Sequence, residues 1–203
     1  ISRGLVGSEM CIRDRQLRVL QDRLPPFSTD VAKQSFKLEI GLDADDVFSD
    51  FSEPVAAASI AQVHRGKLKD NGQSVAIKVL RPEIERAFQK DLDTFYFAAR
   101  LVEFVSPKSR RLKPMDVIAH FDGVVRGELD LRLESASASE FLANIKEDKG
   151  FSVPSVNWSL SSRRVMTLDW ADGVPMGDVD ALAAAGHNPV SYTHLTLPTN
   201  GLG

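Results

Sequence analysis

Apolar and polar residues alternate along the segment from Ser74 to Leu80, a pattern typical of a β-strand whose two faces differ. One face receives Val75, Ile77 and Val79, and the other receives Ala76, Lys78 and Leu80. Lys78 therefore lies between two apolar neighbours. Because an unpaired ammonium group is costly to bury, this lysine is solvated through its flexible stem, paired with a carboxylate, or directed at an anionic ligand.

A second strand is predicted from Ile60 to Leu68, and Asp70-Asn71-Gly72 is a turn signal that joins it to the lysine strand as an antiparallel hairpin. A loop of small residues, Val55 to Ser59, precedes this strand. The order of strand, small-residue loop, strand, turn and strand is that of protein-kinase amino-terminal lobes, where a glycine-rich loop covers the nucleotide phosphates. Here alanines occupy the loop, and their Cβ atoms stiffen it.

Two long helices are predicted next, each with apolar residues at helical spacing. The first runs from Pro82 to Val105 and the second from Pro114 to Ile145. Within the second helix, Asp130 and Glu134 are one turn apart and share a face, and Glu128 projects about a third of a turn away from Glu134. Acidic residues on a helix surface are usually only solvated, so the spacing alone leaves their role open.

Two further strands are predicted from Val153 to Trp158 and from Arg163 to Trp170, and a short helix from Val179 to Gly186. Together these elements predict an α+β fold. The expected architecture is a protein-kinase-like amino-terminal lobe, with an antiparallel sheet of about five strands and long inserted helices. We expect the carboxy-terminal lobe of a kinase to be absent from this chain.

The segment Pro54-Val-Ala-Ala-Ala-Ser-Ile-Ala-Gln-Val-His-Arg-Gly66, followed by Val75-Ala-Ile-Lys-Val-Leu-Arg-Pro82, resembles the signature of the UbiB/ADCK family of atypical kinase-like proteins. That family is associated with ubiquinone (coenzyme Q) biosynthesis. The resemblance implies that the chain binds ATP and that the alanine-rich loop replaces the glycine-rich loop. The nucleotide contacts implied in this part of the chain are Ala56, Ala57, Ala58, Ser59, Val63, Ala76 and Lys78.

The acidic residues of the second helix also resemble the family. Its members have a Glu-x-Asp motif followed closely by Arg-Glu-Ala-Ala, and this chain has Glu128-Leu-Asp130 followed by Leu133-Glu134-Ser-Ala. The resemblance implies that Glu134 pairs with Lys78 as the catalytic ion pair, and that Glu128 and Asp130 form the Glu-x-Asp element. Leu133 and Ser135 depart from the family pattern, but neither replaces a carboxylate.

The segment Leu168-Asp-Trp-Ala-Asp-Gly173 resembles the hinge that follows the last strand of a kinase amino-terminal lobe. The resemblance implies that Leu168 is the gatekeeper. It also implies that the Asp169 carbonyl and the Ala171 amide contact the adenine edge through the main chain. A solvent-facing loop after a strand would have the same spacing, and Asp172-Gly173 is also an ordinary turn sequence.

Phosphoryl transfer requires a catalytic aspartate and Mg²⁺ ligands, and in kinase folds these lie in the carboxy-terminal lobe. No such loop follows the hinge sequence, so we expect the Mg²⁺ ligands outside this chain and no metal site within it. The family's Lys-x-Gly-Gln motif is also absent. The kinase-like lobe is predicted to span residues 16–181, followed by a short tail at 182–203, while residues 1–15 and 190–203 match nothing in the family and are expected to be non-native.

Composition sets broader limits on function. The 203 residues are 43% hydrophobic and carry a net charge of -3, which argues against a broad nucleic-acid surface. There is no apolar run of ~18 residues that would encode a membrane span. The pairs Arg110-Arg111 and Arg163-Arg164 are expected to be solvated. The one cysteine, Cys11, lies in residues 1–15, which are expected to be non-native, so the sequence predicts no disulfide.

Three hypotheses remain open. The first is a fragment of a UbiB-like atypical kinase or ATPase that supports ubiquinone biosynthesis, with possible partners among quinone-biosynthesis proteins or membrane lipid. The parent is then expected on the cytoplasmic side of the inner membrane, and this fragment is expected to be soluble and inactive alone. The second is a non-catalytic nucleotide-binding or scaffold module. The third is a kinase-like lobe that acts outside quinone metabolism.

Overall fold

The computed structural model describes residues 25–147, 152–174 and 179–186. The chain divides into two compact units, Ile1–Trp170 and Ala171–Gly203. The first unit contains, in chain order, α1 (Thr29–Ile40), α2 (Ala44–Val47), β1 (Phe48–Ala57), β2 (Ala61–Leu68), β3 (Ser74–Leu80), α3 (Ile84–Val105), a 3₁₀-helix (Pro107–Leu112), α4 (Pro114–Glu128), α5 (Leu131–Asn144), a second 3₁₀-helix (Trp158–Leu160) and β4 (Val165–Asp169). The second unit contains α6 (Val179–Ala184), where the sequence predicts a short helix.

The strands form one antiparallel sheet in the order β1-β2-β3-β4. The described residues thus give four strands rather than about five, because Val153–Trp158 does not form a strand. This segment makes one isolated bridge, between Val156 and Leu168, and then enters the second 3₁₀-helix. Pro154 has no N–H to donate to a ladder, and the Asn157 carbonyl accepts from the Leu160 amide at 3.2 Å, which curls the chain away from the sheet.

One side of the sheet, which we call the closed face, is covered by α1. This helix begins at Ser28, whose hydroxyl accepts from the Val31 amide, and ends at Gly41 in the left-handed conformation (φ 81°). It places Phe36 fully buried against the strands. Full burial of such a side chain contributes about 1.5–3 kcal/mol. The cluster under α1 includes Ala32, Phe36, Phe48, Leu68, Val75, Ile77, Val79 and Val165.

The other side, which we call the open face, bears Ala76, Lys78 and Leu80 of β3, as the alternation predicts. Here α5 covers only one end of the sheet, through a smaller cluster composed of Ala61, Leu80, Leu131 and Met166. The Leu131 amide donates to the Arg163 carbonyl at 2.9 Å and fixes the start of α5 beside β4. Ala76 and Lys78, farther along β3, remain partly exposed.

The predicted helix from Pro114 to Ile145 is in fact two helices, so the prediction of one continuous helix is wrong. The break falls at Leu129 and Asp130, between α4 and α5. Asp130 has extended backbone angles (φ -123°, ψ 92°), and its carboxylate accepts from the Arg132 amide at 3.1 Å as the N-cap of α5. Asp130 and Glu134 therefore do not share a helix face by simple periodicity, because Asp130 lies outside the helix.

The helices α3 and α4 form an antiparallel hairpin that leaves the sheet after β3 and returns before α5. Helix α3 begins at Ile84 rather than at Pro82, because Glu83 takes a left-handed backbone angle (φ 58°) before the first turn. Phe95 of α3 meets Phe121 of α4 edge to face at 6.3 Å between ring centroids. No helix within the described residues is both long enough and apolar enough to cross a bilayer.

Candidate functional site

On the open face, Lys78 and Glu134 form a bidentate ion pair. The Lys78 ammonium donates to both carboxylate oxygens of Glu134, at 2.7 and 2.6 Å. Strand β3 supplies the lysine, and the first turn of α5 supplies the glutamate, where the positive end of the helix dipole favours a carboxylate. The two side chains are 26% and 50% exposed, so the pair can be reached from solvent.

Strand register places apolar side chains around this pair. Lys78 is opposite Val63 on β2 and opposite Met166 on β4, and the next row on the same face contains Ala76 opposite Leu168. Residues opposite each other in an antiparallel sheet point to the same side. Val63, Ala76 and Leu168 are each partly exposed, so they form an apolar floor that is accessible beside the lysine. Met166 is a member of this face that sequence reasoning missed, although the alternation from Leu168 would have found it.

The alanine-rich segment forms the end of the β1–β2 hairpin rather than a separate loop. Ala56 and Ala57 are the last residues of β1, opposite Val63 and Gln62, while Ala58 and Ser59 make the turn. The Ala58 amide donates to the Ala61 carbonyl at 2.8 Å and closes this turn. The turn is tight and exposed, and none of its described residues has a positive φ, so a Cβ is tolerated throughout.

Arg81 anchors the alanine turn and was missed by sequence reasoning. Its Nε donates to the Ala58 carbonyl at 3.0 Å, and its amide donates to the Ile60 carbonyl at 2.8 Å. Ala61 is opposite Leu80, and Lys78 lies two residues farther along β3. The row of Ala61 and Leu80, next to the turn, is therefore about 7 Å from the lysine row along the strand direction.

The Glu-x-Asp element lies in the same part of the first unit as Glu134. A cavity of about 440 Å³ between the end of α4 and the start of α5 is lined by Gly127, Glu128, Asp130, Leu133 and Glu134, among others. Asp130 is engaged within it, since its carboxylate accepts from the Arg132 guanidinium at 2.6 and 2.9 Å. This hydrogen bond lowers the pKa of Asp130 below its ordinary value of 3.8.

The predicted hinge residues fall in two different units. Leu168 belongs to the open face, and Asp169 ends β4. The Asp169 amide donates to the Ser155 carbonyl at 3.0 Å, and its carboxylate accepts from Gln73 Nε2 at 2.6 Å. Ala171 begins the second unit and is exposed, outside any helix or strand. The contacts of Asp169 and Ala171 with an adenine stay predictions.

The closed face holds a buried polar chain that sequence reasoning also missed. The Gln62 side chain accepts from the Phe27 amide and donates to the Phe27 carbonyl, both at 3.0 Å. Gln62 Nε2 lies 2.8 Å from His64 Nε2, and His64 Nδ1 lies 2.8 Å from the Ser52 carbonyl. Nδ1 must then carry the proton. Burial lowers the pKa of His64 below its ordinary value of 6.5, against an opposing effect of the Ser52 hydrogen bond.

No group of three or more His, Cys, Asp or Glu side chains that could hold a metal ion is found in residues 25–147, 152–174 and 179–186. Of the two carboxylates at the start of α5, Glu134 is already paired with Lys78 and Asp130 caps the helix. The described residues therefore offer Mg²⁺ no ready-made ligand set.

An antiparallel sheet with a strand lysine paired to a helix glutamate is the arrangement of a protein-kinase amino-terminal lobe. Comparison with protein families is consistent with this class. Residues 19–196 match the ABC1 atypical kinase-like domain. The chain therefore belongs to the ABC1 atypical kinase-like family, and the resemblance to UbiB-type proteins is confirmed.

Several curated relatives share the name probable protein kinase UbiB. The protein from Marinobacter nauticus is 38% identical over 187 residues, which cover 92% of this chain and 34% of that protein. The protein from Aliivibrio fischeri strain MJ11 is 40% identical over 174 residues, or 85% of this chain and 32% of that protein. The protein from Klebsiella pneumoniae is 41% identical over 175 residues, with the same coverage. The chain thus spans about a third of the length of these relatives.

Proposed function

We propose that this chain forms the nucleotide-binding lobe of a UbiB-type, ATP-dependent kinase or ATPase that supports ubiquinone biosynthesis. The observation that carries the proposal is the Lys78–Glu134 pair, held on an accessible face of the sheet at 2.6 and 2.7 Å. A lysine that only stabilised the fold would not need an open apolar floor beside it.

In the proposed site, the Lys78 ammonium contacts nucleotide phosphates while Glu134 fixes its direction. The alanine-rich segment, with Ala56 and Ala57 at the end of β1 and Ala58 and Ser59 in the turn, limits the space above those phosphates. Val63, Ala76 and Leu168 offer the apolar floor on which an adenine ring packs. Because the turn is held by Arg81 and contains no glycine, it presents a fixed boundary.

ATP would supply the phosphoryl group, with Mg²⁺ to neutralise phosphate charge. The chain's own part is to bind and orient: Lys78 offers a positive charge, and Glu134 competes with phosphate for that charge and so sets its strength. We propose that the Mg²⁺ ligands lie outside the described residues. On this basis the chain alone binds nucleotide weakly and does not turn it over.

Nucleotide binding to the 203-residue chain tests the proposal. Calorimetric titrations with ATP and ADP, each with and without Mg²⁺, should detect weak binding whose affinity Lys78→Ala lowers most and Glu134→Gln lowers less. Lys33→Ala is a matched control, because Lys33 pairs with Asp45 at 2.7 Å and is 30% exposed, close to the 26% of Lys78. This control should bind nucleotide as the unsubstituted chain does.

A result in which Lys78→Ala and Lys33→Ala bind ATP equally well would contradict the proposed site. The double variant Lys78→Ala/Glu134→Gln separates direct from indirect effects. If Glu134 acts only by orienting the lysine, the double variant should bind no more weakly than Lys78→Ala alone.

The role in quinone metabolism is tested with the whole parent protein. In a strain that lacks the parent gene, a plasmid copy should restore ubiquinone levels, measured by chromatography of extracted lipids, and a copy with Lys78→Ala should not. Normal ubiquinone in the strain without any copy would remove quinone biosynthesis from the proposal and leave nucleotide binding intact.

A further inference from the structure

The open face carries an exposed arginine, Arg65, in the same row as the apolar floor. Arg65 on β2 is opposite Ala76 on β3, and Ala76 is in turn opposite Leu168 on β4. Residues that are opposite each other in an antiparallel sheet have Cβ atoms about 4.5–5.5 Å apart. The long side chain of Arg65 therefore begins directly beside Ala76, whose methyl group leaves room above it. An arginine that lay across the sheet at this row would cover Ala76.

The Arg65 side chain extends the other way, toward the start of β3 and away from Lys78. Its guanidinium carbon lies 4.8 Å from the centroid of the Trp170 ring, which is a cation–π contact. One of its terminal nitrogens donates to the Ser74 hydroxyl at 3.4 Å. Because Ser74 is two residues before Ala76, this hydrogen bond lies one row beyond the floor, about 7 Å along the strand.

The backbone of the sheet fixes both partners of the cation–π contact. The Trp170 amide donates to the Ser74 carbonyl at 3.0 Å, which continues the pairing of β3 and β4 by one residue. Successive strand residues alternate in direction and Leu168 lies on the open face, so Trp170 lies there too. The Arg65 amide donates to the Ser52 hydroxyl at 2.9 Å. With both backbones fixed, the contacts with Trp170 and Ser74 set the direction of the Arg65 side chain.

The contact with Trp170 is also what distinguishes Arg65 from other arginines of the fold. Arg126, Arg132 and Arg164 pair with carboxylates, whereas Arg65 forms no ion pair within the part of the chain that the structure describes. An exposed arginine loses side-chain entropy when it is held in one direction, so a specific contact must compensate for that loss. Here the compensating contact is the indole face.

We propose that Trp170 is a positioning residue of the nucleotide site, which holds the Arg65 side chain off the apolar floor. The inference rests on the proposed function, because the ring that the open floor receives is taken to be the adenine of a nucleotide. Without Trp170, the apolar stem of Arg65 packs over Ala76 while its charged end reaches water. The affinity for adenine then falls with the fraction of molecules whose floor is open. Neither Trp170 nor Arg65 contacts the nucleotide in this arrangement.

The position of Arg65 is measured by NMR spectroscopy of the 203-residue chain without nucleotide. In the unsubstituted chain, the Arg65 Hδ protons should show nuclear Overhauser effects to the Trp170 ring and none to the Ala76 methyl group. Trp170→Leu keeps an apolar side chain but removes the indole face, so contacts between Arg65 and Ala76 should then appear. Trp158→Leu is the matched control, because Trp158 is 52% exposed on the second 3₁₀-helix, and it should leave the contacts of Arg65 unchanged.

Adenosine binding tests the consequence, because adenosine has the ring but no phosphate for Lys78. Titrations followed by the chemical shift of the Ala76 methyl group should show that Trp170→Leu weakens binding by up to about fivefold, which corresponds to a cation–π contact of about 1 kcal/mol at an exposed site. Arg65→Ala/Trp170→Leu should restore the affinity of the unsubstituted chain, since no long side chain remains to cover Ala76.

Lys67→Ala/Trp170→Leu is the matched control for charge. Lys67 is exposed on the same strand and the same face, one row farther from Lys78, so its removal takes away the same charge as the removal of Arg65. This variant should bind adenosine as weakly as Trp170→Leu alone. A general loss of stability in Trp170→Leu would not be reversed by a second substitution, so restoration by Arg65→Ala is specific to the position of the arginine.

Three results would overturn the inference. The first is a set of nuclear Overhauser effects between the Arg65 Hδ protons and Ala76 in the unsubstituted chain. The second is a double variant Arg65→Ala/Trp170→Leu that binds adenosine as weakly as Trp170→Leu, which would mean that Trp170 itself contacts the ring. The third is weaker adenosine binding by Arg65→Ala alone, which would assign Arg65 a direct contact. If the unsubstituted chain binds neither ATP nor adenosine, the proposed function fails, and the NMR contacts still decide whether Trp170 holds Arg65 off the floor.

Discussion

The two faces of the β2–β3 hairpin use neighbouring residues for opposite purposes. On the closed face, Ile77 and Val79 are fully buried under α1, and the polar side chains of Gln62 and His64 opposite them are buried too. On the open face, Lys78 lies between these two residues in sequence and yet remains 26% exposed. One residue of register thus separates core from candidate site, because successive strand residues point to opposite sides.

The polar groups of the two faces differ in how they are satisfied. Each polar atom of Gln62 and His64 has a partner within the fold, at 2.8–3.0 Å. Among the residues that the structure describes, Lys78 pairs with Glu134, and both can be approached from solvent. The buried and fully hydrogen-bonded side chains of Gln62 and His64 stabilise the fold. The exposed Lys78–Glu134 pair can instead exchange one partner for a ligand. The comparison predicts large stability effects on the closed face and small ones on the open face.

The largest effect is expected for Phe36→Ala. Phe36 is fully buried between α1 and the sheet, in edge contact with Phe48 at 5.2 Å between ring centroids. Its truncation should lower the free energy of unfolding by about 3–5 kcal/mol, through lost burial and the cavity left behind. Urea unfolding followed by tryptophan fluorescence measures this, because both tryptophans, Trp158 and Trp170, belong to the first unit.

Leu38→Ala is the control for Phe36→Ala. Leu38 lies on the same helix two residues away and is 79% exposed, so its truncation should change the unfolding free energy by less than about 0.5 kcal/mol. Similar losses for the two variants would mean that α1 does not cover the closed face as described.

A smaller loss is expected for Gly66→Ala, also on the closed face. A Cβ at Gly66 would lie 2.7 Å from Ile77 Cδ1 and 3.2 Å from Phe48 Cδ1. Overpacking of this kind costs about 1–3 kcal/mol. Gly123→Ala in α4 is the matched control, since a Cβ there meets nothing within 4 Å and should be neutral or stabilising by about 0.5–1 kcal/mol. Equal effects at both positions would contradict the close packing of the closed face.

The β2–β3 hairpin was predictable from sequence because local patterns determine it. The alternation of apolar and polar residues predicted both faces of β3, and Asp70-Asn71-Gly72 predicted the turn, in which Gly72 takes a φ of 71°. The alanine segment was less predictable. Its first alanines complete β1 because the Arg81 side chain, from beyond β3, fixes the Ala58 carbonyl, and a long-range bond of this kind leaves no local signal.

The break between α4 and α5 was missed although a signal existed. Asp130 is a favoured N-cap residue, and Gly127 weakens the helix just before it. Apolar periodicity continued across the break and concealed it. The missing fifth strand has a similar origin: Val153–Trp158 is apolar enough for a strand, but Pro154 limits pairing to the single bridge at Val156. In both places a single capping or proline residue outweighed a longer pattern.

The polar chain of the closed face should make stability depend on pH. His64 is neutral in the fold because burial lowers its pKa below 6.5, whereas in the unfolded chain it titrates near that value. The unfolded state then binds more protons as the pH falls, so stability is retained above pH 6.5 and declines as the pH falls below it. Protonation would also place an N–H of His64 against the Gln62 amide and disrupt the contact with Phe27.

Urea unfolding at a series of pH values between neutrality and mild acid measures this dependence. His64→Asn keeps a polar side chain but removes the titration, so its unfolding free energy should fall less steeply with acid. If the variant has the same pH dependence as the unsubstituted chain, the pKa of His64 does not differ between the folded and unfolded states. The hydrogen-bonded polar groups of the closed face would then not be the cause of the pH dependence.

The smallest stability effect is expected on the open face, for Lys78→Met. Methionine keeps the length of the lysine stem and can pack on Val63 and Met166, which lie opposite it. Because the ion pair with Glu134 is 26% and 50% exposed, its loss should change the unfolding free energy by less than about 1 kcal/mol. The same variant should lose nucleotide binding. Lys78 would then contribute little to the free energy of unfolding and much to nucleotide affinity. A loss of 3 kcal/mol or more (the size expected for Phe36→Ala) would instead make Lys78 a structural residue and reduce the difference between the two faces to one of solvent exposure alone.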